Sequence, residues 1–254
     1  MQFVVLLLAG IGGGLTGSIA GLASLMTYPA LLATGVPPLT ANITNTVALV
    51  LNSVGSVSAS RPELRGQGRR LVPLGVAAVL GGTTGAVLLL LTPSSAFERL
   101  VPILIAAASA AILVQRPPRE LAAEGAREHA RHPDRDQRWL PAAVFAIAIY
   151  GGYFGAAAGV LLLALLLRIT HASLARANAT KNVLLFVANT VAAVLFAFLA
   201  PVDWAAVVPL GIGCLIGSRL GPIVVRRAPS TLLRVLIGIA GMALAIRLGI
   251  QAYG

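Results

Sequence analysis

The chain has 254 residues, of which 57% are hydrophobic and 11% charged, with a formal charge of +11. A soluble domain carries about 25% charged residues, so this composition excludes one and specifies an integral membrane protein. A nucleic-acid groove is excluded too: aromatics are 5% of the chain and nearly all 19 basic residues lie between apolar segments or near their ends, as the positive-inside rule requires of a membrane protein.

Eight hydrophobic segments follow in order, at approximately 3–34, 40–60, 71–91, 99–115, 139–168, 175–200, 204–225 and 231–250. The first and fifth carry a shared pattern, GGxxGxxxG, at Gly13 to Gly21 and again at Gly151 to Gly159. Each spans roughly 30 residues, about 45 Å as one helix against a hydrocarbon core of about 30 Å. Such a segment either tilts steeply or breaks, and glycine is where a backbone breaks most easily. The stretch Met1 to Ala20 ends like a signal peptide, in Ser18-Ile19-Ala20, but has no basic start and belongs to the first copy; it is expected to be retained. The fourth and fifth segments are separated by a polar stretch, Arg116 to Arg138, with six arginines against five acidic residues. Pro117-Pro118 stops the preceding helix, and the stretch reads as a linker.

The two halves are repeats. Ala41-Asn42-Ile43-Thr44-Asn45 matches Ala177-Asn178-Ala179-Thr180-Lys181 at a spacing of 136, and the same spacing pairs Pro73-Leu74-Gly75 with Pro209-Leu210-Gly211. Arginines orient them. The loop at 61–70 carries Arg61, Arg65, Arg69 and Arg70, while its counterpart at 201–203 carries none; the next pair reverses, with Arg99 alone against Arg226, Arg227 and Arg234. Opposite bias in equivalent loops places them on opposite sides, the mark of inverted repeats. Inversion needs an odd number of crossings, so the glycine-broken first segment of each repeat is expected to re-enter, as two halves of roughly 14 residues reaching about 21 Å. The expected fold is an all-α polytopic membrane protein: a first repeat at 1–115, a charged cytoplasmic linker at 116–138 and a second repeat at 139–254.

Every acidic residue lies outside the apolar runs or at their ends: Glu63, Glu98, five in the linker, and Asp203. That argues against cation or metal transport and against a carboxylate proton relay. The single cysteine, Cys214, excludes an internal disulfide and a multi-cysteine metal site. Two basic residues fall inside apolar runs, Lys181 and Arg219. Lys181 lies among Asn178, Thr180 and Asn182, and the counterpart patch holds Asn42, Thr44, Asn45 and Thr46. Amide, hydroxyl and ammonium donors without a carboxylate suit an oxyanion; the same side chains also cap helices and join them across membranes. Arg219 lines an exit or snorkels, Arg176 marks a helix start, and His171 reads as a loop residue. Gly17, Gly21, Gly155 and Gly159 carry two compatible readings. They let helices pack closely, or they free N–H groups at helix breaks that favour an anion.

The run Ala20-Gly21-Leu22-Ala23-Ser24-Leu25-Met26-Thr27-Tyr28-Pro29, its continuation Gly35-Val36-Pro37-Pro38 through Thr46, and Gly151-Gly152-Tyr153-Phe154-Gly155 resemble motifs of the TauE/SafE family of sulfite-exporter-like permeases. The resemblance covers essentially the whole chain. One departure is Gly21-Leu22-Ala23, where many relatives carry consecutive glycines. The resemblance implies transport of sulfite, sulfonates, other small sulfur-containing anions, or organic acids. Residues and resemblance together lead to a multi-pass inner-membrane permease exporting a small oxyanion, with no cofactor and no covalent chemistry. Lys181 would supply charge, the asparagines directional donors, and the re-entrant tips backbone N–H groups. Its partners are the anionic substrate and the lipid bilayer, and assembly as a homo-oligomer is compatible with the chain. Rival readings are an uptake permease for a sulfur compound or organic acid, an intramembrane enzyme (for which no Ser/His, Asp/Asp or HExxH set exists at membrane depth), and a non-transporting scaffold.

Overall fold

The computed structural model describes residues 2–114, 120–121, 123, 137–170, 172–225 and 230–253. Most of the 116–138 linker, His171, Arg226 and Arg227 fall outside them. The described residues are almost entirely helical, with no strand among them. The first half forms α1 (Gln2–Ala20), α2 (Ala23–Ala33), α3 (Pro38–Ala59), the single turn α4 (Arg61–Leu64), α5 (Gly68–Leu91) and α6 (Ser94–Val114). The second, after a 3-10 turn at Gln137–Trp139, forms α7 (Leu140–Tyr153), α8 (Ala158–Ile169), α9 (Leu174–Leu199), α10 (Trp204–Val225) and α11 (Ser230–Tyr253). Five of these helices contain stretches long and apolar enough to cross a membrane: α1, α5, α6, α9 and the 235–253 part of α11. Large apolar side chains such as Leu8, Leu80, Phe198 and Ile239 face outward, as a lipid-facing surface requires. The exception in composition is α3, long but rich in Asn, Ser and Thr; Asn42, Thr44, Asn45, Thr46, Asn52, Ser53 and Ser56 are all buried, so this helix runs through the interior.

Local chemistry sets the ends. Pro38 opens α3 with its fixed φ and missing donor. Ser173 Oγ accepts the Arg176 N–H at 3.4 Å to cap α9, and Asp203 Oδ1 accepts the Ala206 N–H at 3.1 Å to cap α10. Both glycine stretches break, but at different points. The first copy stays helical through Gly17 and turns at Gly21 (φ 75°); the second turns at Phe154 to Ala157, with Gly155 at φ 75° and Ala157 at φ 62°. Aromatic side chains account for the difference. Phe154 leaves the helix to pack edge-on against Tyr28 at 5.6 Å and Phe97 at 6.2 Å. Tyr150 Oη donates to the Ala156 carbonyl at 2.6 Å and holds the turn. The first copy has Gly12 and Thr16 at the positions of Tyr150 and Phe154, and Thr16 bonds back to its own helix at Gly12 and Gly13. The expected halves of about 14 residues therefore fit α7, with 14, but not α1 and α2, with 19 and 11.

After its break α2 folds back along α1: a methyl on Gly13 would meet Thr27, and one on Gly17 would meet Ala23. Each half then packs its first helix on the third long helix of the other. Gly10 faces Leu210 and Gly213 while Gly14 faces Cys214 and Ser218, so α1 and α10 run the same way in near backbone contact. Gly81 faces Phe145 and Ala148 while Gly85 faces Ile149 and Tyr153, so α5 and α7 do likewise. The last helices run oppositely: Leu113 meets Gly238, Ser109 meets Gly241, and Tyr253 Oη donates to the Arg99 carbonyl at 2.6 Å. Without small residues at these seams the backbones cannot approach. Gly217→Leu, whose side chain would strike Ile11 and Leu15 of α1, is expected to abolish monodisperse protein on detergent size-exclusion, whereas Gly75→Leu, with open space around it, is expected to leave the elution profile unchanged.

Candidate functional site

The polar patches predicted from sequence reach across the halves in matching pairs. Asn178 on α9 donates through Nδ2 to the Ser18 carbonyl at 3.0 Å, at the end of α1. Its counterpart Asn42 on α3 donates to the Tyr153 carbonyl at 2.9 Å, at the end of α7. Thr180 Oγ1 donates to Gln67 Oε1 at 3.1 Å, just before α5, and its counterpart Thr44 accepts from the Asp203 N–H at 3.1 Å, just before α10. Each asparagine thus satisfies a carbonyl at a helix C-terminus, where acceptors lack partners, and each threonine fixes a helix start. Asn45 Oδ1 accepts from Thr27 Oγ1 at 2.5 Å, and Asn182 donates to Ser60 Oγ at 3.1 Å.

Lys181 is fully buried, at 0% exposure. Its Nζ donates to the Gly17 carbonyl at 3.1 Å and the Ser18 carbonyl at 3.4 Å, at the negative end of α1. Among the described residues it has no carboxylate partner. Arg219 and Arg176 are exposed.

The two breaks meet at the centre of the bundle. Gly21 and Gly159 lie back to back: a methyl on either would come within 2.5 Å of the other's Cα. Beside them is a small cavity of about 30 Å³, room for about two waters. Gly17, Gly21, Gly155 and Gly159, all four predicted glycines, line it. So do Ala23 and Ser24 at the start of α2 and Ala158 at the start of α8. The Ala158 N–H donates to the Gly155 carbonyl at 3.2 Å, and both helix starts carry the positive end of the helix dipole. Polar side chains enter from the middle of the long helices: Thr46 and Asn52 on α3, Asn189 on α9. Asn52 is 7% exposed, and its Oδ1 has no hydrogen-bond partner. None of the lining residues is charged.

The predicted residues thus separate. The glycines surround the cavity, while Asn42, Thr44, Asn45, Asn178, Thr180, Lys181 and Asn182 form a bonded shell that joins the helices around it. Lys181 is linked to the cavity through its bond to Gly17. Ser24, Asn52 and Asn189 were not among the predicted site residues. Asn52, before Ser53, and Asn189, before Thr190, lie deep inside apolar segments, and an amide at that depth is the signal that finds them.

Together these features define a multi-pass helical membrane protein with two broken helices abutting at its centre. The family model described as Sulfite exporter TauE/SafE matches residues 6–248, and the chain belongs to this family of membrane transporters. It is 28% identical over 252 residues to the probable membrane transporter protein YfcA of Escherichia coli K12, covering 95% of this chain and 87% of that one. To the probable membrane transporter protein ORF9 of Sinorhizobium sp it is 26% identical, over 92% of this chain and 87% of that one. A probable membrane transporter protein of Haemophilus influenzae is 27% identical, over 91% and 88%. No solved structure matches.

Proposed function

We propose that this transporter exports a small oxyanion (sulfite, a sulfonate or a related sulfur-containing anion) across the inner membrane by alternating access at the central cavity. The observation that carries the reading is the convergence of two helix starts, α2 and α8, with Asn52 and Asn189 on a cavity free of carboxylates. Helix starts and neutral amides favour an anion and offer a cation little. At about 30 Å³ the cavity holds water rather than an oxyanion, so passage requires the two breaks to part.

Inverted repeats supply the means. The opposed course of α6 and α11, equivalent helices of the two halves, and the exchange of α1 on α10 for α7 on α5 support that arrangement. In such folds one repeat rocks against the other about a central site. The Gln67–Thr180 and Ser60–Asn182 bonds bring the 61–70 loop beside the start of α9, gathering Arg61, Arg65, Arg69, Arg70 and Arg176 at one end. We assign that end to the cytoplasm. Export of a monoanion from an inside-negative cell is downhill by about 2.3 kcal/mol per 100 mV, so a uniporter suffices.

Purified protein in proteoliposomes loaded with labelled sulfite is expected to release it at least about tenfold faster than protein-free vesicles, and faster still under an inside-negative potential. Movement of neutral solutes or cations in its place would overturn the reading. Concentrative uptake would reverse the direction while leaving the anion.

A further inference from the structure

The same cavity points to the charge of what it carries, an inference that rests on the anion reading above. Two helix breaks meet there, and each presents one C-terminus and one N-terminus. Each terminus carries about half a unit charge, negative at the C-terminal ends of α1 and α7 and positive at the starts of α2 and α8. These four contributions add no net charge, although the N-terminal ends still favour an anion locally. What remains is Lys181, which supplies at most one positive charge, buried and bonded to the Gly17 carbonyl at 3.1 Å while Gly17 itself lines the cavity. No carboxylate offsets it among the cavity's lining residues. The side chains that reach the cavity are neutral, and Asn52 is 7% exposed with its Oδ1 unpartnered.

We infer that the site is built for no more than one negative charge, so that the carried species is a monoanion and a dianion of the same shape is rejected. A monoanion beside Lys181 leaves the centre of the bundle neutral. A dianion leaves at least one uncompensated charge in a buried site whose polar side chains, Ser24, Thr46, Asn52 and Asn189, are all neutral, and an unpaired charge there carries a heavy penalty. The amides of Asn52 and Asn189 can bond to a dianion's oxygens but cannot neutralise its second charge. For an acid with two ionisations the transported form is therefore the singly ionised one, and the second proton travels with the substrate rather than through a protein relay.

The test uses two tetrahedral sulfur anions that do not titrate near neutrality, methanesulfonate with one charge and sulfate with two. Labelled flux of each is measured with wild-type protein in proteoliposomes, alongside the current carried per anion moved. Methanesulfonate flux is expected to exceed sulfate flux on the order of 100-fold, with one elementary charge moved per methanesulfonate. Equal fluxes, or a preference for sulfate, would overturn the monoanion inference and leave the anion permease standing. If neither anion moves but a neutral or cationic solute does, both fall together.

Discussion

Gly21→Ala is expected to abolish transport and to lower the melting temperature of the detergent-solubilised protein more than the same change at any other break glycine. Two separate costs meet at this residue. Its φ of 75° lies in the left-handed region, where a side chain costs about 1 kcal/mol. An added methyl would also lie 2.5 Å from the Cα and carbonyl carbon of Gly159 and 2.8 Å from the Val160 nitrogen, all backbone atoms that have no rotamer with which to yield. Overpacking of that kind costs about 1–3 kcal/mol. Two controls separate the costs. Gly35 has φ 88° and nothing within 4 Å, so Gly35→Ala bears the backbone cost alone, about 1 kcal/mol. Gly159 sits in helical geometry facing Gly21 at 2.5 Å, so Gly159→Ala bears the contact alone, offset by roughly 0.5–1 kcal/mol of helix propensity. The expected order of destabilisation is Gly21, then Gly159, then Gly35, with flux lost in the first two and kept in the third. Equal, mild effects at Gly21 and Gly35 would show that the contact between the breaks does not matter.

The fold was legible wherever one segment's own chemistry decided the outcome. Runs of apolar residues bounded by Pro38, Ser173 and Asp203 specified α3, α9 and α10 nearly to the residue, because a cap or a proline acts locally. The glycine breaks were legible as events but not as positions. Gly17 and Gly155 are equivalent in the motif, yet the chain turns at Gly155 and not at Gly17. The deciding partners, Tyr28 and Phe97 around Phe154, come from a distant part of the chain. The choice between packing and breaking was no choice: Gly10 and Gly14 pack on α10, while Gly21 and Gly155 turn the chain.

The candidate site was legible in its backbone and less so in its side chains. Asn42, Thr44, Asn178 and Thr180 stand out in sequence because they repeat at a fixed spacing and cluster near helix starts. Repetition is also what a pseudo-symmetric joint requires, and in the structure each bonds to the opposite half. Asn52 and Asn189 differ in spacing by one residue from the 136 of the repeat. They therefore carry no motif and reach the cavity only because α3 and α9 turn that face inward. Donor chemistry alone cannot tell a joint from a ligand. Only geometry says whether the donor is already used.

Lys181→Met is expected to cut anion flux by about 100-fold or more while leaving the melting temperature unchanged or raising it. Its two acceptors do not depend on it. The Gly17 carbonyl also takes the Gly21 N–H at 2.9 Å, and the Ser18 carbonyl also takes Asn178 Nδ2 at 3.0 Å. Removing the lysine therefore orphans neither. What it removes is a buried charge without a carboxylate among the described residues, and exchanging such a charge for an apolar side chain of similar length is often neutral or stabilising by about 1–4 kcal/mol. A purely structural role predicts the opposite signs, with stability falling and flux following it. Lys181→Gln separates charge from tether, since it keeps a donor toward the α1 carbonyls but no ammonium. If Gln behaves like Met, the site needs the charge; if Gln restores flux, the lysine is a tether, and the cavity draws its anion through the helix starts and Asn52 alone.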